Sequence, residues 1–118
     1  MNWLAVVGTR EMNDAICRDI ERFVGQKIAE GSGIVSGGAT GVDHEAARLA
    51  YENGLDASRF SIFLPVKLEL YCQALYDRAA AGKCRYDDAV DTANLLQKIC
   101  QSRPGVVHDV TEFTEVNA

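Results

Sequence analysis

Two short segments carry the residues whose types and spacing suit ligand chemistry. Residues 8–10 (GTR) and residues 36–41 (SGGATG) each follow an apolar run and precede a helical pattern. Glycines there allow positive φ, and the missing Cβ lets a phosphate or a ribose approach the backbone N–H groups closely. The unpaired N–H groups of a helix's first turn add a partial positive charge. The two segments therefore predict a site for a small anionic ligand.

The side chains near these segments allow both functional and structural interpretations. Arg10 has a planar guanidinium group that suits a phosphate, and Thr9 can donate a hydroxyl hydrogen bond. The structural alternative is a surface ion pair of Arg10 with Glu11 or Asp43, which would contribute little stability. Asp43 lies in the first turn of the second predicted helix, where it either caps free N–H groups and fixes the glycine loop or accepts hydrogen bonds from a sugar hydroxyl.

The glycines themselves have a simpler explanation, a tight turn from a strand into a helix. One glycine usually suffices for that, so Gly37, Gly38 and Gly41 together favour clearance for a ligand. The run matches neither a P-loop, because no Gly-Lys-Ser or Gly-Lys-Thr follows, nor the dinucleotide fingerprint GxGxxG. The predicted ligand-binding residues are Gly8, Thr9, Arg10, Ser36, Gly37, Gly38, Ala39, Thr40, Gly41 and Asp43.

Other polar residues have weaker functional interpretations. His44 and Glu45 are neighbours on a predicted helix and point in different directions, so we expect a solvated face for both. Residues 65–103 contain aromatic side chains interspersed with basic ones, which would either cover a nucleobase as a lid or form the solvent boundary of an amphipathic helix. The lid candidates are Tyr71, Tyr76, Arg78, Lys83, Arg85 and Tyr86. An acidic group, Asp87, Asp88 and Asp91, is expected to begin the next helix, and no metal site is assigned.

Length and composition restrict the class of protein. The 118 residues suit one domain, residues 1–118, and 47% hydrophobic with 25% charged residues is typical of a soluble globular protein. The apolar runs are too short to span a membrane, and Met1 leads into no export signal, so we expect a cytoplasmic protein. The net charge of −5 opposes binding along a nucleic acid. The four cysteines form no CxxC pair and are expected to be free thiols.

The apolar spacing predicts the elements that position the two segments. Strands are predicted at residues 3–7, 34–35, 60–64 and 106–110. The first predicted helix begins after Asn13, which would cap it. The second runs from Val42 and ends at Asn53 and Gly54, and two more helices are predicted between residues 65 and 103. The order β, α, β, α, β with short connections predicts an α/β, Rossmann-like doubly wound fold, with a mainly parallel sheet flanked by helices. Both segments then lie at the carboxyl ends of strands, where such sheets bind ligands.

These residues also resemble a known family. The sequence VGTR, followed after about 25 residues by IVSGGATGVDHEAARLAYENG, resembles the SLOG superfamily, the Rossmann-like group that includes DNA-processing protein A and the LOG phosphoribohydrolases. The resemblance covers residues 4–65 and maps residues 8–10, residues 36–41 and Asp43 onto the nucleotide-binding edge of the sheet. It implies a nucleotide or nucleotide derivative as ligand, bound by a sensor or recognition domain, and no cofactor beyond a ligand of that type.

Two departures from the family limit what the resemblance implies. The LOG hydrolases carry a second motif, PGGxGTxxE, with catalytic residues, and after Gly54 this chain has only Gly82 and Gly105. Whether the protein is an enzyme is therefore left open. Family domains also usually continue after a segment like TEVNA, so the chain is either a compact domain or a C-terminally truncated one. A truncated sheet would expose a strand edge that favours homo-oligomers.

Three alternatives to nucleotide sensing stay open. One is a hydrolase of the N-glycosidic bond of a nucleotide, in which Asp43 or Glu45 would stabilise the sugar cation. Another is a single-strand DNA binder of the DNA-processing type, which requires basic residues on one face. The basic candidates are Lys67, Arg78, Lys83 and Arg85. The most distant alternative is a molybdenum-cofactor carrier, whose family has a similar SGGxTGxD run.

Overall fold

A computed structural model describes residues 1–109 of the chain. The elements follow in the order β1 (Trp3–Val6), α1 (Asp14–Ala29), β2 (Gly33–Ser36), α2 (Val42–Glu52), β3 (Phe60–Phe63), α3 (Leu68–Ala80), α4 (Tyr86–Ser102) and β4 (Val107–His108). The predicted fourth strand ran to residue 110, which lies outside the described residues, as does the TEVNA segment. The α/β class is confirmed.

The sheet is parallel throughout its described part. β1 pairs with β2, β2 with β3, and β3 with β4, and all three pairs are parallel, as the short connections predicted. The strands lie in chain order across the sheet, so residues 1–109 contain no reversal of strand order of the kind that a doubly wound sheet has. This order brings the carboxyl ends of β1 and β2 side by side, which is what the two predicted segments require.

Helix α1 shows where the sequence pattern succeeds and where it fails. The Asn13 side chain accepts a hydrogen bond from the backbone N–H of Ile16 at 2.9 Å, which confirms the predicted cap. Val24 and Ile28, four residues apart, are buried on one face of the helix. The sequence pattern also predicts Phe23 on this face, because it belongs to the apolar repeat formed with Ile16, Ile20, Val24 and Ile28. Phe23 is nevertheless 51% exposed, because its position on the helix is turned away from the line that Val24 and Ile28 define.

The two faces of the sheet differ in burial. Ile34, Phe60 and Ile62 are fully buried against the helices and form the centre of the core. Successive residues of a strand alternate between faces, so the neighbours of these three residues point the other way. On that other face Trp3 and Phe63 are each 45% exposed. We call it the Trp3 face.

Two contacts organise the Trp3 face. The Trp3 ring lies directly over Gly33, where an added Cβ would be 2.6 Å from Trp3 Cε3. Phe63 stacks on His108 with ring centroids 4.7 Å apart and an interplanar angle of 16°. The face is therefore packed along the sheet but partly open to solvent.

Two further expectations concern the chain as a whole. Cys17, Cys72, Cys84 and Cys100 are all free thiols, as the spacing predicted. Within residues 1–109, no helix combines the length and the apolar character that crossing a bilayer requires.

Candidate functional site

The loops that follow β1 and β2 pack against each other at the level of the backbone. The N–H of Val42 donates to the carbonyl of Thr9 at 3.1 Å. Gly41 has φ +85°, and an added Cβ there would lie 2.4 Å from the Thr9 carbonyl oxygen and 2.6 Å from Arg10 Cα. Only glycine meets both requirements, because other residues rarely adopt this φ and would collide with backbone. Gly41 therefore holds the two predicted segments together.

Asp43 is the polar centre of this junction. The residue is 6% exposed, and its carboxylate accepts hydrogen bonds from the backbone N–H groups of Ala39, Gly8 and Gly37. Burial raises the pKa of Asp43, while these hydrogen bonds and the charge of Arg10 act in the opposite direction. One carboxylate thus connects the loop after β1 with the loop after β2. Of the two interpretations of Asp43, this geometry matches the one in which it fixes the glycine loop.

The neighbouring glycines make room for the chain's own side chains. An added Cβ at Gly37 would lie 2.7 Å from Asp43 Oδ2. At Gly38 it would lie 2.4 Å from Leu64 Cδ2 and 3.2 Å from the Tyr71 ring. Each glycine therefore has a neighbour inside the protein that explains the missing side chain. Contact between a ligand and the amides of Gly37 and Gly38 stays a prediction.

The hydroxyl groups of this region are used locally. Ser36 is 3% exposed, and its hydroxyl donates to the Val6 carbonyl at 2.7 Å, which joins β2 to β1. Thr9 Oγ1 accepts a hydrogen bond from the N–H of Glu11 at 3.0 Å, across the turn that leads to α1. Both hydroxyls stabilise the loops at the carboxyl edge of the sheet.

A cleft of about 470 Å³ opens beside these loops. We call it the Arg10 cleft. Arg10 comes from the loop after β1, Thr40 from the loop after β2, and Lys83 and Arg85 from the turn between α3 and α4. The three cationic residues are exposed, whereas Thr40 is buried. The remaining lining residues are Glu11, Met12, Asn13, Asp14, Cys17, Cys84 and Asp88.

A second, smaller cavity of about 250 Å³ adjoins the first. We call it the His44 pocket, and its lining consists of Met12, Cys17, Gly41, His44, Glu45, Asp88, Asp91 and Thr92. It shares Met12, Cys17 and Asp88 with the Arg10 cleft, so the two cavities lie next to each other.

The His44 pocket contains two buried polar atoms without a partner. His44 Nδ1 and Thr92 Oγ1 are inaccessible to solvent and have no hydrogen-bond partner within residues 1–109. Burial lowers the pKa of His44, which keeps the imidazole neutral at neutral pH. The expected solvated face was wrong for His44, because α4 packs over the beginning of α2 and no sequence pattern announced that contact.

The region proposed as a lid divides into parts with different surroundings. Lys83 and Arg85 line the Arg10 cleft. Tyr71 is half-buried over Gly38, and burial raises the pKa of its hydroxyl. Tyr76 packs against the core, and Tyr86 is 67% exposed. Of the six lid candidates, Lys83 and Arg85 are therefore at the site, whereas Arg78 and the three tyrosines line neither cavity.

The acidic residues of α4 follow the structural prediction. Asp87 and Asp88 lie in the first turn of the helix, where they interact favourably with its dipole. Among residues 1–109, no group of three or more His, Cys, Asp or Glu side chains has an arrangement that could hold a metal ion.

The predicted site residues thus reach the cavities only in part. Arg10 and Thr40 line the Arg10 cleft, and Gly41 lines the His44 pocket. The other predicted residues build the junction behind these cavities. Three lining residues carried no functional signal in the sequence: Met12 lies in the loop before α1, and Cys17 and Thr92 occupy helical positions that look like ordinary packing positions.

The sequence of the first half of the chain matches a known family. Residues 1–60, just over half of the 118 residues, match the sequence profile described as DNA recombination-mediator protein A. No curated protein and no solved structure matches the chain. The matched region contains β1, the loop of Arg10, the whole glycine-rich segment and Asp43, in agreement with the resemblance found in the sequence. The chain belongs to the DNA recombination-mediator protein A family.

Proposed function

We propose that this protein binds a nucleotide or nucleotide derivative, with a phosphate group held in the Arg10 cleft. One observation carries the proposal. Arg10, Lys83 and Arg85 come from two distant segments and line the same cleft, although the whole chain has a net charge of −5. Guanidinium and ammonium groups gathered in this way are the donors that bind phosphate in proteins.

The helices add to the attraction for an anion. Asn13 and Asp14 at the start of α1 line the cleft, and so do Arg85 and Asp88 at the start of α4. Thr40 lies two residues before α2. Three helix N-termini therefore meet at the Arg10 cleft, and each contributes the positive end of its dipole.

The cleft also contains carboxylates, and this affects which ligand fits. Glu11, Asp14 and Asp88 line it together with the three cationic residues. A long polyanion would meet this mixed lining unfavourably, whereas a ligand with one phosphate and several hydrogen-bond donors suits it. The cavity volume of about 470 Å³ lies within the range of roughly 300–1,000 Å³ that is typical of small-molecule sites.

The hydrolase alternative is less well supported. Its two candidate carboxylates are engaged within the chain: Asp43 accepts hydrogen bonds from loop amides, and Glu45 forms an ion pair with Arg48. Neither carboxylate is free to stabilise a sugar cation. Binding without catalysis is therefore the function that we propose, as a sensor or recognition domain.

A DNA-binding role is the second candidate, because the matching family is named for DNA recombination. The exposed cationic residues of the Arg10 cleft would then contact the phosphates of a single strand. The two candidates differ in salt dependence. Binding along a strand weakens steeply with added salt, in proportion to the number of phosphates contacted, whereas binding of a single phosphate weakens only modestly.

Thermal unfolding with AMP, ADP, NAD and ADP-ribose tests the proposal. A ligand at 100 times its Kd stabilises the folded state by about 2.7 kcal/mol, which shifts the Tm by several degrees. We expect Arg10→Ala and Arg85→Ala to reduce this shift in Tm. Arg18→Ala is the control, because Arg18 is exposed on α1 and does not line the cleft, and it should leave the shift unchanged. An equal shift in all variants, or no shift in the wild-type protein, would contradict the proposal.

A further inference from the structure

The Trp3 face is the side of the sheet that no helix of residues 1–109 covers. All four helices contribute buried residues to the core cluster that contains Ile34, Phe60 and Ile62, which point away from the Trp3 face. The strand order explains this, because right-handed crossovers that all progress in one direction place their helices on one side of the sheet. Parallel sheets are almost always covered on both faces. The Trp3 face therefore calls for an occupant that residues 1–109 do not supply.

The composition of the face suits an apolar occupant. Trp3 and Phe63 are each 45% exposed, and Ala5 is exposed as well. By register and alternation the face contains seven strand residues, and none of them is Asp, Glu, Lys or Arg: Trp3, Ala5, Gly33, Val35, Ser61, Phe63 and His108. A sheet face that stays in water normally carries polar side chains. The Trp3 face has instead the composition of an internal contact surface.

The size of the face decides which kind of occupant fits. Neighbouring strands lie about 4.8 Å apart and each residue advances a strand by about 3.3 Å, so this sheet presents a face roughly 14 Å wide and 13 Å long. A stable interface between two proteins buries about 800 Å² on each partner, several times this footprint. A second copy would also carry the same net charge of −5 and be repelled. A short polypeptide segment fits the face better than a second copy.

The chain itself contains such a segment. Residues 110–118, VTEFTEVNA, follow β4 and Asp109 in the sequence. His108 of β4 stacks on Phe63, so the chain arrives at residue 110 beside the Trp3 face. Nine residues reach at most about 30 Å, which exceeds the roughly 14 Å between β4 and β1. The segment also has an apolar side chain at every third position, Val110, Phe113 and Val116.

We propose that residues 110–118 pack on the Trp3 face of their own chain, with the side chains of Phe113 and Val116 against the Trp3 ring. Covalent attachment gives the segment a millimolar effective concentration at the face, which a separate molecule would have to reach in solution. The exposed parts of Trp3 and Phe63 are then removed from water, and the sheet is covered on both sides. The inference uses no residue of the Arg10 cleft and is independent of the proposed function.

NMR spectroscopy of the 118-residue chain tests the inference. In the wild type we expect nuclear Overhauser contacts between the Trp3 ring and the side chains of Phe113 and Val116. Phe113→Ala should shift the indole N–H resonance of Trp3. Thr114→Ala is the matched control, because it shortens the neighbouring side chain of the same segment, and it should leave that resonance in place. Absence of the contacts in the wild type overturns the proposal, and this result does not depend on the folding of any variant.

The same spectra distinguish the segment from a second copy. A mixture of isotope-labelled and unlabelled chains reports contacts between copies. If the contacts of Trp3 with Phe113 and Val116 appear in the mixture and fade on dilution, the segment of a second copy occupies the face and the proposal is wrong. Contacts that are absent from the mixture and unchanged on dilution support it. An indole resonance that responds equally to Phe113→Ala and Thr114→Ala contradicts a direct contact with Phe113.

Discussion

The backbone N–H of Gly37 donates to the Asp43 carboxylate, and a Cβ added to Gly37 would lie 2.7 Å from Asp43 Oδ2. The glycine-rich segment is thus organised around an anion that the chain itself provides. Under the proposed function, an external anion would bind farther from Asp43, where Arg10 and Thr40 line the cleft. This relationship shifts the expected ligand contacts from backbone amides to side chains.

Removal of the Asp43 carboxylate should therefore destabilise the fold. Asp43→Ala removes the buried carboxylate that accepts from the backbone N–H groups of Ala39 and Gly37, and we expect a loss of about 2–4 kcal/mol in the free energy of unfolding. Urea denaturation measures this change. Asp87→Ala, on an exposed helical turn, should alter stability by less than about 0.5 kcal/mol. Similar stabilities for the two variants would show that the carboxylate does not hold the loops.

Gly41 should be the glycine least tolerant of substitution. Gly41→Ala combines an unfavourable φ of +85° with a methyl group 2.4 Å from the Thr9 carbonyl oxygen. We expect a loss of at least about 2 kcal/mol, measured by thermal or urea unfolding. Gly25→Ala is the opposite case, because Gly25 lies within α1 with open space at its Cβ, so this variant should gain about 0.5–1 kcal/mol. An unchanged stability of Gly41→Ala would contradict the direct contact between the two loops.

Gly38→Val should damage packing rather than ligand binding alone. If Gly38 left clearance for a ligand, as the glycine-rich segment suggested, a new side chain would occupy the place of a phosphate and leave the fold intact. In the structure it meets Leu64 and Tyr71, so we now expect a loss of about 1–3 kcal/mol of stability without any ligand present. Unfolding of the ligand-free variant measures this loss. In a combined Gly38→Val and Tyr71→Ala variant, the total loss should be smaller than the sum of the losses in the two single variants, because the contact between the new side chain and Tyr71 is absent.

The buried imidazole of His44 should make stability depend on pH. Burial lowers the pKa of His44 from its usual value of 6.5, so near and below that pH the unfolded chain binds more protons than the folded one. The stabilising effect of a neutral His44 is thus complete above pH 6.5 and is lost as the pH falls through 6.5 towards the lowered pKa. A tenfold change in the proton affinity of His44 on folding corresponds to about 1.4 kcal/mol in the free energy of unfolding.

Urea denaturation between pH 5 and pH 7.5, compared in wild type and His44→Gln, isolates this effect. Other groups affect His44 as well: Glu45, Asp91 and Asp88 favour its protonated form, and Arg48 opposes it. The pKa of Asp43 is raised in the folded protein, so protonation of Asp43 stabilises the folded state at acidic pH, opposite to the effect of His44. This contribution is present in both wild type and His44→Gln and cancels in the comparison. As the pH falls, the wild type should therefore lose stability relative to His44→Gln. A difference that is constant across this range would contradict a buried neutral His44.

Much of the fold could be predicted because local signals and tertiary contacts agree. The Asn13 cap, the apolar run of β1 and the end of α2 at Asn53 and Gly54 are encoded within a few residues of where they act. The order of the strands across the sheet is set by packing between distant segments, and no local pattern reports it. The same applies to Phe23, whose hydrophobicity suggested burial although its position on α1 directs it to solvent.

The candidate site was harder to predict for a physical reason. Arg10 and Thr40 could be identified from the sequence, because they lie in loops that follow predicted strands. Tyr71 covers Gly38, and Thr92 lines the same pocket as His44, only because α3 and α4 pack where they do. A motif indicates that glycine is needed at a position, but it does not tell whether a ligand or the chain's own side chain fills the space.

The placement of Trp3 has a practical consequence, because it is the only tryptophan among the 118 residues. All indole fluorescence of the protein therefore originates on the Trp3 face, from a ring that is 45% exposed over Gly33. A molecule that covers this face would move the emission maximum to shorter wavelength, whereas a ligand in the Arg10 cleft would leave the emission unchanged. The chain thus carries an intrinsic optical probe that distinguishes association through the sheet from occupation of the cleft.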